Sequence, residues 1–274
     1  MSEELDRLLR RSMSLADKDA ERRLSLLLLM LRFTRNSYEG ISFLSSTVDD
    51  NPKRKKEFVL LLPPANRQLL DLLFTLVFMI DDFPTRSMNY ELASYRQARE
   101  EYTKFHERFG TNPKWQAHFT ELDAFLLKLE QYLPLTAEQK ADPTLIKYWH
   151  APYRLTRHAT ESQPFMMFLE KWMYGETSAQ AHLNPAGLFS VGVFLMSDFG
   201  PEYERKTIEE RSIHQFTFRH FTRMLATVLA ITTEIDTFAQ LGNRLALTQL
   251  WVLLGGYASE AEDLYRKRYQ AMLT

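Results

Sequence analysis

Three observations predict an all-α fold. Glycine is scarce, at 9 of 274 residues. Leucine, glutamate, arginine, glutamine, methionine and alanine recur while β-branched runs are rare, which favours helix over strand. No alternating stretch of strand length is bounded by turn pairs, and no internal repeat is visible. The expected architecture is one irregular multi-helix bundle of about nine or ten helices. It spans 1–274 as a single domain, because no linker is long or polar enough to divide it, with 1–18 expected as a peripheral N-terminal helix.

The elements follow in order. Residues 3–14 can form a short amphipathic helix. A long helix is expected from Asp19 to about Ser46, with an acidic first turn and apolar positions at 24, 27, 28, 31, 38, 41 and 44. The basic run Lys53–Lys56 reads as a solvated loop or helix start. Pro63-Pro64 is expected to break the chain, and Asn66 to cap a helix from Arg67 to Asp82. That helix, LLDLLFTLVFMI at its centre, is apolar on nearly every side and should be buried. Phe83-Pro84 ends it. Met88–Phe109 is a charged amphipathic helix closed by Gly110, and Pro113 opens another to about Tyr132. Loops and short turns are expected from Pro134 to Pro152. Gln163–Leu188 is expected to be the central helix, interrupted at Asn184-Pro185, with Ala186–Phe199 continuing its apolar pattern. Helices over Thr207–Gln240, Arg244–Leu254 and Ala258–Leu273 complete the bundle, the last two separated by Gly255-Gly256.

Composition excludes several classes. Hydrophobic residues make up 45% and charged residues 25%, as in ordinary globular proteins. The 34 basic and 35 acidic residues nearly cancel, so net charge does not support nucleic-acid binding and any such contact needs a local patch. There is no cysteine, which removes thiolate chemistry and fits a reducing compartment. The N-terminus is charged without an apolar core, and no apolar run reaches the roughly 20 residues that span a bilayer. A cytoplasmic protein with no membrane association is expected.

Candidate chemistry concentrates at two places. Tyr174, Ser178 and His182 recur at four-residue spacing, on one helix face among large apolar side chains. Arg67 and Asp71, also four apart, are the two charges that the apolar helix buries least readily. The simplest arrangement pairs Arg67 with Asp71 and sets the hydroxyl-and-imidazole row against them. Three readings stay open: a polar core that fixes helix register, a catalytic or ligand site built on these five residues, or residues that do not meet. Glu209, Glu210, His214 and His220 cluster on one predicted helix, but a di-metal bundle would want repeated Glu-x-x-His motifs. No metal is expected. No phosphate loop or dinucleotide fingerprint is present, and no cofactor is expected.

Tyr174-x3-Ser178-x3-His182 followed by Asn184-Pro185, with Arg67-x3-Asp71 and the segment from Arg86 through Tyr90 to Arg99, resembles a prokaryotic family of all-helical domains of unknown function. The resemblance spans roughly residues 25 to 195. The chain departs from it in Asp71, where Glu is expected, and in the spacing from His182 to the turn. It implies a fold and a site location rather than a reaction. More distantly, Arg99-x6-His106 resembles the Arg-x4-6-His mark of HEPN ribonucleases, in which His assists attack by the 2′-hydroxyl and Arg steadies the phosphate.

Two functions are therefore expected as alternatives. The first is a binding or regulatory module in prokaryotic defence or stress response, with a protein partner or a homodimer formed through an apolar C-terminal helix pair. The second is a metal-independent HEPN-like ribonuclease, phosphodiesterase or small-molecule enzyme using His182 or His106.

Overall fold

The computed structural model describes residues 18–50, 55–182, 185, 187–188 and 202–274; the side chains of 18–24, 44–50, 55–59 and 202–214 are outside that description. The fold is all-α, with no strand among the described residues. No described helix is long and apolar enough to cross a membrane. The expected helix over 3–14, the basic run's side chains, and the stretch from 189 to 199 lie outside the described residues.

The chain divides into two compact units, residues 1–81 with 152–274, and residues 82–151. The larger unit contains α1 (Lys18–Asp50), α2 (Lys55–Ile80), α6 (Pro152–Leu155), α7 (Gln163–Leu169), α8 (Gly175–Ala181), α9 (Glu202–Ala239), α10 (Arg244–Tyr257), α11 (Ser259–Leu264) and α12 (Gln270–Leu273). One π-helical turn, Glu170–Tyr174, joins α7 to α8, and a second, Tyr265–Tyr269, joins α11 to α12.

The inner element is α2, not the 163–188 segment. It packs most extensively against α9 and also touches α1, α6 and α8. Leu69, Leu70, Leu73, Phe74, Leu76, Val77 and Met79 are all 0% exposed. The reason is its circumference: a helix that is apolar all round must be enclosed, whereas 163–181 carries charge on part of its surface.

The same burial overrides the proline pair. α2 runs through Pro63 and Pro64 rather than starting after them. A helix-interior proline costs about 3 kcal/mol. Leu62, immediately before the pair, is 1% exposed, and a large apolar side chain so buried contributes roughly 1.5–3 kcal/mol against that cost. In α10 the helix likewise continues through Gly255 and Gly256 to Tyr257.

The smaller unit contains α3 (Phe83–Phe109), α4 (Gln116–Tyr132) and α5 (Ala137–Ala141), with 3-10 turns at Pro113–Trp115 and Pro143–Leu145. Its core is Tyr95, Leu126, Leu133 and Ile146. Helix α3 begins before Met88 because Pro84 takes the first turn, where its missing N–H is not needed. Arg96 fastens the following loop: its guanidinium lies over the Tyr148 ring and donates to the carbonyl of Thr144. Gly110 closes α3 without the left-handed conformation expected of it, at φ −60°.

Candidate functional site

The proposed residues begin on α2. Arg67 and Asp71 stand one turn apart, and Arg67 Nε donates to Asp71 Oδ1 at 2.9 Å. The Arg67 guanidinium lies over the Tyr174 ring, 3.6 Å from its centroid, and Nη2 contacts the Tyr174 hydroxyl. Tyr174 is itself buried, edge-on to Phe74 at 5.3 Å and beside Tyr153 at 6.4 Å. The π turn ends at Tyr174, so the α spacing to Ser178 and His182 is kept. Ser178 is half-buried, and its carbonyl accepts from the His182 N–H at 3.1 Å. His182 caps α8 and is exposed.

Three of the five candidates thus meet in one contact set: Arg67, Asp71 and Tyr174. His182 stands within electrostatic reach. Burial raises the Asp71 carboxyl above its ordinary range, while Arg67 and then His182 pull it back down. Nε and Nη2 of Arg67 thus tie α2 to the 170–181 segment, while Nη1 is buried without a hydrogen-bond partner.

The alternative histidine lies in the smaller unit. His106 stacks on Tyr102 at 5.7 Å and meets Phe119 edge-on at 5.2 Å. Arg99 is two helical turns earlier on α3, about 10 Å along the axis.

Three polar networks carry no local spacing signal. Asn66, the residue expected to cap α2, is buried inside it and donates from Nδ2 to the His220 ring at 3.2 Å and to its carbonyl at 2.9 Å. His220 is buried; that burial, and then the charges of Arg223 and Arg219, push it down to about 3. Arg223 on α9 is enclosed and bridges Glu176 at 2.9 Å and Glu260 at 3.1 Å, with Arg219 also 3.0 Å from Glu176. Glu234, 0% exposed, takes Arg268 through both carboxylate oxygens at 2.5 and 3.0 Å. Beside that pair Tyr269 stacks on Trp251, whose indole N–H donates to Thr233. Buried pairs of this kind contribute little net stability when intact, but losing one partner costs about 3–5 kcal/mol.

A separate cavity of about 610 Å³ opens among α1, α9 and α10. Its walls are mainly aliphatic, including Leu31, Leu225, Leu229, Leu247 and Leu250. Tyr38, Thr232, Asp236, Asn243 and Tyr257 are its polar members, and among the described residues no lysine, arginine or histidine lines it. Leu253 and Tyr257 at its rim, and Leu245 and Val252 beside it on α10, are exposed.

Among the described residues no group of three or more His, Asp or Glu side chains is placed to hold a metal ion. Of the candidate cluster on α9, Glu209, Glu210 and His214 have side chains outside the description, and His220 is engaged with Asn66. Comparison with family models, curated proteins and solved structures finds no match. The class defined by the fold and these sites is an all-α protein with buried ion pairs and a large apolar cavity among α1, α9 and α10.

Proposed function

We propose that this chain is a binding module that holds an apolar ligand among α1, α9 and α10. The observation that carries the reading is a contrast. Arg67 is committed to Asp71 and Tyr174, while the cavity is open and lies in the roughly 300–1,000 Å³ range of small-molecule sites. Regulation would follow if the ligand tightens α10 against α9, because a ligand shifts an equilibrium by its differential affinity for the two states. Titration with Nile red, a neutral apolar dye, tests this. Saturable blue-shifted emission is expected, and Ala246→Trp, which fills the cavity from an exposed position, should reduce it at least about tenfold. Unsaturable binding, or binding that ignores Ala246→Trp, rules the cavity out.

The enzymatic reading has one observation in its favour. His182 is exposed and within electrostatic reach of a carboxyl raised by burial, a combination that acid–base sites use. Total RNA incubated with the protein should stay intact on the binding reading. Cleavage lost in His182→Ala or His106→Ala would move the function to that residue.

A further inference from the structure

The cavity's charge is one-sided. Asp236 is 2% exposed, yet it stands in the cavity wall near the C-terminal end of α9. Its Oδ1 accepts from the Asn243 side chain at 2.7 Å and the Asn243 backbone N–H at 3.3 Å. Its Oδ2 accepts from no described group, and no described cation pairs with it. The Thr232 hydroxyl is already committed to the Val228 carbonyl. The C-terminal end of α9 adds negative potential of its own. A carboxylate in an aliphatic wall without a counter-cation is costly, and the surrounding low polarity strengthens its pull on any cation that enters. Asn243 offsets part of that charge through two hydrogen bonds to Oδ1, and it leaves the second oxygen for an incoming donor.

Resting on the binding reading above, we propose that the cavity selects a cationic amphiphile: an aliphatic chain along α9 and α10, with an ammonium donating to Asp236 Oδ2. An anionic amphiphile of the same length would meet the carboxylate and find no cation. A neutral one would gain the apolar contacts alone.

Isothermal titration at pH 7 with decylammonium, 1-decanol and decanoate separates these cases. Decylammonium is expected to bind at least about tenfold more tightly than either of the others. Asp236→Asn keeps an oxygen for Asn243 and removes the charge, so it should erase that preference. If Asp236→Asn fails to fold, Thr232→Lys places an ammonium one helical turn from Asp236, where it pairs with the carboxylate and should likewise erase the preference for decylammonium. Equal binding of all three compounds overturns the ammonium assignment and leaves the apolar cavity standing. Binding of none overturns both. A dimer by light scattering that decylammonium neither enters nor dissociates assigns the groove to a second copy and overturns the proposal.

Discussion

His220 shows how one buried residue can set the response of the whole chain to acid. Its Nδ1 faces the Asn66 amide donor, which requires an unprotonated acceptor there. Burial, and then the charges of Arg223 and Arg219, hold the folded ring down to about 3, whereas in the unfolded chain it returns to about 6.5. As pH falls below 6.5 the unfolded chain takes up the proton first. The stabilisation contributed by neutral His220 is therefore complete above 6.5 and is lost as pH falls toward 3. The expected loss is roughly 2 kcal/mol between pH 7 and pH 5. Urea unfolding across that range should show a steeper pH slope in the native chain than in His220→Gln, by nearly one proton. Parallel slopes would mean that the imidazole is not held neutral. Residue patterns made the Arg67, Asp71 and Tyr174 contacts legible, because each partner sits at helical spacing on an apolar face. The Asn66–His220 and Glu234–Arg268 pairs are not legible, since neither Asn66 nor His220 is a charge that an apolar face must neutralise, and Arg268 lies in the run Arg266-Lys267-Arg268, which reads as a solvated face. The criterion that singles out Arg67, a charge inside an apolar run, also picks out Arg223 and Glu234 around the stretch from Met224 to Ile235.

Whole elements are legible where periodicity is strong, and not where a proline or glycine pair imitates a stop. The long helices of α1 and α9 follow the apolar spacing closely. Pro63-Pro64 and Gly255-Gly256 read as stops, yet the helices pass through both, because such signals are local and neighbouring helices are not. Gly110 is a different case: the stop is real and its reason is not the expected one. Its backbone is right-handed, and its N–H donates to the His106 carbonyl at 2.8 Å. A Cβ built there would stand 2.5 Å from that same carbonyl oxygen and 3.1 Å from the His106 ring. Glycine is needed for close approach rather than for a positive φ. Gly110→Ala should therefore destabilise the smaller unit by about 1–3 kcal/mol, as overpacking does elsewhere. The expected result is a lower urea midpoint for residues 82–151, followed by Trp115 fluorescence, since that ring stacks on Phe109 at 4.4 Å. An unchanged midpoint would show that the end of α3 yields without cost.

At the scale of the molecule, the two units differ in how much they enclose. In the larger, α2 is surrounded by α1, α6, α8 and α9, and seven of its side chains have no exposed surface. In the smaller, α4 buries only Phe119 and Leu126 of its 17 residues, and the core is a cluster of four buried side chains with partly buried neighbours. This division leaves no mark that a linker search can find. Residues 82–151 leave and rejoin the larger unit at Asp82 and Ala151, through short connections of ordinary composition. Opening free energy should track that enclosure, since regions with few buried apolar contacts open locally at lower cost. Native-state hydrogen exchange should then resolve two classes of amide. Those of α2 from Leu69 to Met79 should exchange only at the global unfolding free energy. Those of α4 should exchange several kcal/mol below it, as one cooperative group with the C-terminal half of α3. Addition of low urea should lower the protection of α4 before that of α2. If both sets converge on one free energy at every denaturant concentration, the chain unfolds as a single cooperative body, and burial within each unit does not govern where it opens first.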